Sequence, residues 1–180
     1  MIIKLIIKFL IIILLTSKTS FSNKYIGERI TINANNFPTE INNKNFIGEK
    51  GDKTAQFNLG LTYHYGYGVQ QNYAEAFKWY SLAADQGLAS AQNNLGLMYY
   101  LGDGVAKDYN EAYKWYILAA DQGFASAQFN LGLMYDNGHG VQQDYAEAFK
   151  WYSLAAEQGL ASAQSNLGSM YDLGNGVYQN

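Results

Sequence analysis

The stretch AQFNLGLMY, Ala127 to Tyr135, decides the fold because it occurs in four versions along the chain. The other versions, AQFNLGLTY, AQNNLGLMY and AQSNLGSMY, begin at Ala55, Ala91 and Ala163, so the spacing is 36 residues each time. A constant period of this length is the signature of a repeat architecture, in which each unit packs on its neighbours. The chain is therefore expected to be an array of similar units.

A second motif alternates with the first. NYAEAFKWYSLAADQG, residues 72–87, returns with few changes at residues 108–123 and 144–159. Together the two motifs define three complete units and a half unit, which are residues 52–87, 88–123, 124–159 and 160–180. The single proline and the many Ala, Leu, Tyr and Gln residues favour helices, so we predict two helices in each complete unit.

Both motifs carry helix signals. In the first, Ala55, Leu59 and Tyr63 lie at i, i+4 and i+8, which gives one apolar stripe along a helix. The second begins with an Asn or Asp that is followed three residues later by Glu, which is an N-terminal capping pattern. It ends with a glycine and then an apolar residue, as in Gly87 and Leu88, which is typical of the Schellman C-terminal motif.

Small and large residues recur at matching positions. A glycine lies in the middle of every predicted first helix, at positions 60, 96, 132 and 168. Because a mid-helix glycine costs about 1 kcal/mol relative to alanine, its recurrence predicts a close approach between helices. The Trp-Tyr pairs of the second helices, such as Trp115 and Tyr116, are expected to face these glycines and the Ala-Ala pairs of the second helices, such as Ala83 and Ala84. On that basis Trp115→Ala is predicted to cost roughly 3–5 kcal/mol through cavity formation.

A Gly-x-Gly-Val loop joins the two helices of each unit. The residue between the glycines is Tyr67, Asp103, His139 or Asn175, so no phosphate or metal chemistry depends on it. The first glycine is expected to end the first helix in a left-handed conformation, and the second to permit the turn into the next helix. Both histidines of the chain, His64 and His139, are predicted to be surface residues.

The complete pattern resembles the Sel-one-like repeat (SLR): A-x-x-x-LG-x-x-Y, then G-x-GV, then D-Y-x-x-A-x-x-WY-x-x-AA-x-x-G. This family is related to the tetratricopeptide repeat, whose unit has about 34 residues. The resemblance covers the chain from Asp52 to its C-terminus. It implies an all-α fold, a right-handed α-solenoid (superhelix) of antiparallel helix pairs. It also implies a module that binds other proteins or peptides, and many bacterial members of the family are exported.

The N-terminus has the order of a secretory signal peptide. Lys4 and Lys8 come first, an apolar run follows, and small residues lead to Ser22, so we predict that residues 1–22 are removed. The alternative is an uncleaved membrane anchor, but the stretch of 14 residues is shorter than the roughly 20 that span a bilayer. The mature protein is then expected to be secreted or periplasmic, without membrane insertion. Residues 23–51 are expected to form an Asn-rich linker or a degenerate N-terminal cap.

The residue inventory argues against enzymatic chemistry. The chain has no cysteine and only two histidines, whereas a zinc site needs three or four converging ligands. Some cysteine-rich relatives in the SLR family carry a β-lactamase label, but Ser-x-x-Lys, Ser-Asp-Asn and Lys-Thr-Gly are all missing here. We therefore predict no enzyme activity, no catalytic residue, no cofactor and no metal, and keep a β-lactamase-like hydrolase as a remote alternative.

The net charge of the mature protein limits the kinds of partner that it is expected to bind. Removal of the signal peptide takes away three lysines and leaves 9 of the 12 basic residues against 15 acidic ones. An acidic protein without basic clusters is a poor partner for nucleic acid or an anionic membrane surface. The partner is therefore expected to be a protein or a peptide.

The predicted partner-binding surface lies on the first helices. The units differ there at positions 57, 93, 129 and 165 and at positions 64, 100, 136 and 172, which are expected to lie opposite the apolar stripe on the concave face. An asparagine follows each position of the first set, and its amide can bind a peptide backbone. The candidate residues are Phe57, Asn58, Asn93, Asn94, Phe129, Asn130 and Asn166. An equally supported alternative is that the asparagines hold the inter-helix loops through buried hydrogen bonds.

The half unit lacks a second helix, which is expected to leave Leu167 and Tyr171 partly uncovered. Either a partner or a second copy covers them, or a stop codon has truncated a longer reading frame. Three functions follow as hypotheses. The first is an exported interaction scaffold, including one in contact with a host or the bacterial envelope. The others are a structural or assembly subunit that self-associates through its uncapped C-terminal repeat, and a truncated remnant of a longer repeat protein.

Overall fold

The computed structural model describes residues 20–22, 29–31 and 51–175. Strand β1 (Ser20–Ser22) pairs antiparallel with strand β2 (Arg29–Thr31). The rest of the predicted signal peptide and of the 23–51 segment lies outside the described residues, as do residues 176–180. The predicted cleavage point coincides with the end of β1, and cleavage there stays a prediction.

Between residues 51 and 175 the chain forms seven α-helices. They are α1 (Lys53–Tyr65), α2 (Tyr73–Asp85), α3 (Ala89–Leu101), α4 (Tyr109–Ala120), α5 (Ala125–Asn137), α6 (Tyr145–Glu157) and α7 (Ala161–Leu173). Each helix packs against the next one along the chain, first within a unit and then across to the following unit. The array is an α-solenoid of helix pairs, as predicted, and α7 is the first helix of the fourth unit. None of the described helices has both the length and the apolar character that a membrane span requires.

The second helices, α2, α4 and α6, begin at the predicted caps. The side chain of Asn72 accepts a hydrogen bond from the Glu75 amide at 3.1 Å. Asp108 and Asp144 each accept hydrogen bonds from two amides in the first turn of their helices. Because these bonds satisfy amides that the first turn leaves without partners, each second helix begins at a fixed residue.

The helix ends also follow the predicted glycine pattern. The Gly87 amide donates to the Ala84 carbonyl, and the Leu88 amide donates to the Ala83 carbonyl at 3.2 Å. These bonds form the Schellman pair, and they recur at the ends of α4 and α6. The first helices end in glycines with φ between 68° and 85°. The predicted left-handed ends are therefore confirmed.

The core of each complete unit forms where a first-helix glycine meets a second-helix tyrosine. A Cβ added to Gly96 would lie 2.8 Å from the Tyr116 ring, and the glycines of the first and third units meet their tyrosines in the same way. Tyr116 is only 1% exposed. The predicted close approach is confirmed, since the missing side chain makes room for a buried ring. At Gly168 no atom lies within 4 Å of the added Cβ, because the described part of the fourth unit has no second helix.

The tryptophans meet one of the two predicted kinds of small site. Trp115 is partly buried and packs on a hydrophobic cluster that joins the first and second units and includes Ala83 and Ala84, and Trp151 does the same at the next junction. Consecutive residues of a helix point about 100° apart, so when Tyr116 faces the glycine the neighbouring tryptophan points to a different cluster. The small sites that the tryptophans meet are therefore the Ala-Ala pairs, whereas the atoms nearest to the glycines of the complete units belong to the tyrosines. The cost predicted for Trp115→Ala therefore belongs to Tyr116, and we expect a smaller loss at the partly exposed Trp115.

Candidate functional site

Four of the seven candidate partner-binding residues are buried inside the array. Asn93 is 0% exposed, Phe129 and Asn130 are 4% exposed, and Asn94 is 6% exposed. They lie in α3 and α5, and every residue of α3 from 91 to 98 is buried. A first helix with neighbours on both sides has no free face opposite its apolar stripe. The predicted position of Asn93 and Phe129 on an exposed concave face is therefore wrong. Asn94 and Asn130 are buried beside them.

Hydrogen bonds hold the buried asparagines. Asn130 Nδ2 donates to Asn93 Oδ1 at 3.0 Å, which links α5 to α3, and Asn93 Nδ2 donates to Asn94 Oδ1 at 3.4 Å. Buried amides need such partners because an unpaired one costs stability. The structural alternative fits these residues better than partner binding does, although the bonds connect first helices rather than loops.

The other three candidates lie in the end units. Asn58 is exposed, whereas Phe57 and Asn166 are partly buried. The Phe57 ring lies 5.7 Å from the ring of Tyr80. Burial raises the pKa of Tyr152, and a hydrogen bond from Asn166 opposes that rise. These positions are more open than their inner counterparts because α1 and α7 are the end helices of the described array. Partner binding by Phe57, Asn58 and Asn166 stays a prediction.

Glutamines connect the units through contacts that the helix pattern alone does not reveal. Gln122 Nε2 donates to Gln92 Oε1 at 2.7 Å, and Gln92 Nε2 donates to the carbonyl of Ala84 in the preceding unit at 3.2 Å. Gln158 and Gln128 repeat the arrangement one unit later. The sequence does contain a signal for these contacts, because glutamine occurs at the same two positions of every complete unit.

A second candidate region lies where the first helices end, and we call it the loop edge. It comprises the last two residues of α1, α3 and α5 and the residue between the loop glycines: His64, Tyr65, Tyr67, Tyr100, Leu101, Asp103, Asp136, Asn137 and His139. Leu101 and Asn137 are exposed, and the other members are partly buried. The three complete units carry a different residue at each of these positions.

The loops of the second and third units pack on the unit that precedes them. A Cβ added to Gly140 would lie 2.7 Å from the backbone oxygen of Tyr109. His139 then reaches across the same junction. Its Nδ1 lies 2.8 Å from the Tyr100 hydroxyl, and its ring stacks on Tyr109 with 4.6 Å between centroids. His139 is therefore a contact between units, and its prediction as a surface residue is wrong.

His64 is also enclosed. The rings of Tyr65, Tyr73 and Tyr80 lie with their centroids 4.6 to 6.0 Å from that of His64. This burial lowers the pKa of His64 below its ordinary value, and the negative charge of Asp103 in the next unit opposes the change. The surface prediction missed this enclosure, because Tyr73 and Tyr80 come from α2 and are 9 and 16 residues from His64 in sequence.

The chemistry of the loop edge suits recognition. Within residues 51–175 the His, Asp and Glu side chains form no group of three or more that could hold a metal ion. Burial raises the pKa of Tyr80 and Tyr116 well above the ordinary value, so these phenols stay protonated at neutral pH. The edge instead offers aromatic rings, amides and carboxylates, which are groups that contact protein surfaces.

Comparison with known proteins agrees with this architecture. The Sel1 repeat pattern matches residues 53–88, 89–124, 125–160 and 161–180. A protective antigen of uropathogenic Escherichia coli with an SLR fold is 48% identical, with a TM-score of 0.73, and the match covers 74% of this chain and 29% of that one. A Sel1 repeat protein from Oxalobacter formigenes is 39% identical, with a TM-score of 0.73, and the match covers 76% of this chain and 55% of that one.

A third similar structure, the cysteine-rich protein B of Helicobacter pylori, shows the fold alone. It is 23% identical, with a TM-score of 0.55, and the match covers 71% of this chain and 91% of that one. No curated protein matches the sequence. The chain spans less than two thirds of the first two structures. Because the matched repeats extend from residue 53 to residue 180, the chain belongs to the Sel1 repeat family, whose fold typically serves as a non-enzymatic scaffold for protein interactions.

Proposed function

We propose that this protein is an exported scaffold that binds a protein or peptide partner along the loop edge. The observation that carries the proposal is where the units differ. The three complete units have three different residues at each loop-edge position, whereas the glycines, tyrosines and glutamines that pack the units together are identical. Packing explains the identical positions, and a partner-specific surface explains variation that is concentrated at one edge.

The composition of the loop edge supports this role. The rings of Tyr65 and Tyr67 lie 5.4 Å apart, and Leu101 adds an apolar side chain that is 36% exposed. Tyrosine is rigid and amphipathic, so it contributes contact area at a low entropic cost. The contact between Tyr100 and His139 holds part of the edge in place before a partner arrives, and such preorganisation favours affinity.

Export is the second part of the proposal. It rests on residues 1–22, whose basic, apolar and small segments follow the order of a signal peptide. The similar protein from uropathogenic Escherichia coli is a protective antigen. That similarity is consistent with a role outside the cytoplasm, including contacts with a host.

Crosslinking mass spectrometry in the native compartment tests the partner surface. One variant carries Leu101→Lys and Asn137→Lys on the loop edge, and the control carries Thr54→Lys and Ala161→Lys at exposed positions where first helices begin. Both variants gain the same charge. We expect the partner crosslinks to disappear from the loop-edge variant and to persist in the control. Equal crosslinking of the two variants would contradict this placement of the partner.

N-terminal sequencing tests export separately. We expect protein recovered from the periplasm or the medium to begin at Asn23, the residue after the predicted cleavage point. Protein that keeps Met1 and stays with the cytoplasmic fraction would contradict export, and the proposed partner surface would not depend on that result.

A further inference from the structure

The solvent face of the second helices carries a leucine in every complete unit. Leu82 is 40% exposed, Leu118 is 47% exposed and Leu154 is 37% exposed. They occupy equivalent positions in α2, α4 and α6, spaced 36 residues apart. Since the units stack in register, the three side chains recur along one surface of the solenoid, which we call the outer row. Exposed apolar side chains aligned in this way are a feature of interaction surfaces.

Opposite charges flank each leucine of the outer row. A lysine lies four residues before it and a carboxylate three residues after it, in the pairs Lys78 and Asp85, Lys114 and Asp121, and Lys150 and Glu157. All six flanking residues are exposed. Residues at these spacings share one face of a helix. The outer row is therefore an apolar line with a positive border on one side and a negative border on the other.

Each lysine pairs at the helix surface with the glutamate three residues before it, and Lys78 and Lys150 also lie over the ring of the tryptophan that follows them. Lys78 Nζ lies 3.8 Å from the Glu75 carboxylate, and the two side chains are 60% and 40% exposed. Lys114 and Lys150 make the same kind of exposed pair, each with the glutamate three residues before it. Exposed pairs of this type contribute little to stability, so the lysines remain available to an approaching negative charge.

We propose that the outer row is a self-association surface and that it binds a second copy of this chain related by a two-fold axis. The charge pattern selects this occupant. When a second copy is placed face to face across a two-fold axis that runs parallel to the row, the lysine border of one copy faces the carboxylate border of the other. A two-fold interface is self-complementary in this sense, and complementary charges fix its register and orientation.

The symmetry also assigns the contacts. An axis parallel to the row brings each second helix of one copy against the same helix of the other in antiparallel orientation, with Leu118, the most exposed leucine of the row, opposite its own counterpart. Lys114 of each copy then faces Asp121 of the other. Leu82 and Leu154 likewise lie against their own counterparts, with Lys78 opposite Asp85 and Lys150 opposite Glu157. This dimer leaves the loop edge uncovered, so it does not depend on the proposed partner binding, and it differs from the end-to-end association predicted for the C-terminal repeat.

Sedimentation equilibrium of the purified protein over a concentration series tests the interface. We expect a monomer–dimer equilibrium, and we expect Leu118→Glu to raise the dissociation constant by roughly tenfold or more, because each copy loses a buried leucine and gains a buried charge. Leu101→Glu is the matched control, since it makes the same change at an exposed leucine of the loop edge. A wild-type protein that stays monomeric, or a control that weakens the dimer equally, would overturn the proposal.

A charge exchange tests the two-fold arrangement itself. Lys114→Glu places like charges opposite each other at both symmetry-related contacts, and so does Asp121→Lys. We expect each single variant to dimerise more weakly than the wild type, and an equimolar mixture to form a heterodimer in which both contacts are attractive again. Circular dichroism checks that both variants are folded. If the mixture associates no better than the separate variants, the two-fold arrangement is wrong.

Discussion

The inner helix α5 and the terminal helix α7 share most of their sequence but not their environment. Both contain the A-Q-x-N-L-G-x-M-Y pattern. Gly132 of α5 lies against the ring of Tyr152, whereas Gly168 of α7 has no neighbour within 4 Å. Phe129 of α5 is buried, and its counterpart Ser165 is exposed. Because helices in proteins are stabilised mostly by packing rather than by propensity, we expect α5 to be held more strongly than α7.

The largest difference in the free energy of unfolding is expected between the loss of a buried tyrosine ring and the loss of an exposed one. Tyr116→Ala removes a ring that is 1% exposed, and we expect the free energy of unfolding to fall by about 3–5 kcal/mol, as for other large aromatic residues in cores. Tyr171→Ala truncates a ring on α7 that is 57% exposed, and we expect a change below about 0.5 kcal/mol. Urea unfolding measures both. Equal losses would show that α7 is packed as tightly as the inner units.

Alanine substitutions at Gly132 of α5 and Gly168 of α7 should change the stability in opposite directions. Gly132→Ala forces a Cβ into the Tyr152 ring, and we expect a loss of about 1–3 kcal/mol from overpacking. Gly168→Ala meets open space, so the higher helix propensity of alanine should stabilise α7 by up to about 1 kcal/mol. Thermal unfolding gives the two shifts. If both variants melt lower than the wild type, a neighbour must also cover Gly168.

The next largest difference in stability is expected between substitutions of the equivalent glutamines Gln128 of α5 and Gln164 of α7. Gln128 is buried, donates to the Ala120 carbonyl and accepts from Gln158, so Gln128→Ala removes two hydrogen bonds worth about 0.5–1.5 kcal/mol each and should cost about 1–3 kcal/mol. Gln164 of α7 is exposed and donates to the Ala156 carbonyl. Gln164→Ala should therefore cost less than about 1 kcal/mol. Chemical denaturation of both variants ranks them, and the reverse order would contradict the role of the glutamines between units.

The smallest expected effect is a pH dependence at the end of α1. Burial lowers the pKa of His64, so the unfolded chain takes up a proton at about pH 6.5 while the folded chain stays neutral to a lower pH. This contribution to stability is complete above about pH 6.5 and is lost as the pH falls below that value. We expect Tm to drop on acidification, and to drop less in His64→Tyr, which installs the residue found at this position in the second unit. Parallel pH dependences in the two proteins would contradict the assignment.

Much of the fold follows from local signals. The Asn and Asp caps, the Schellman glycines and the left-handed glycines each depend on residues within one turn of the chain, and all of them are found where the pattern places them. The close approach at Gly96 was also predictable, because only packing explains a recurring mid-helix glycine. The residue that fills the space was not, since Trp115 and Tyr116 are neighbours and both are large.

The candidate site was harder to predict. A helical projection places Asn93 away from the apolar stripe and Asn130 at its edge, and for an isolated helix that means exposure to solvent. In the solenoid the same face meets the next first helix, so the two amides are buried and bonded to each other. The contacts of the histidines were missed for the same reason, because Tyr73 and Tyr80 beside His64, and Tyr100 and Tyr109 beside His139, come from other helices.

The sequence by itself determined the 36-residue period, the helix pairs and the residues at which the helices begin and end, because each depends on local backbone chemistry. The tertiary structure decided which faces are covered. It buried the inner asparagines, placed Trp115 and Trp151 at the junctions between units, joined the second and third loops to the preceding repeats and left the leucines of the second helices exposed. Burial depends on neighbours in other helices, which are far away in sequence or absent, and no local pattern contains that information.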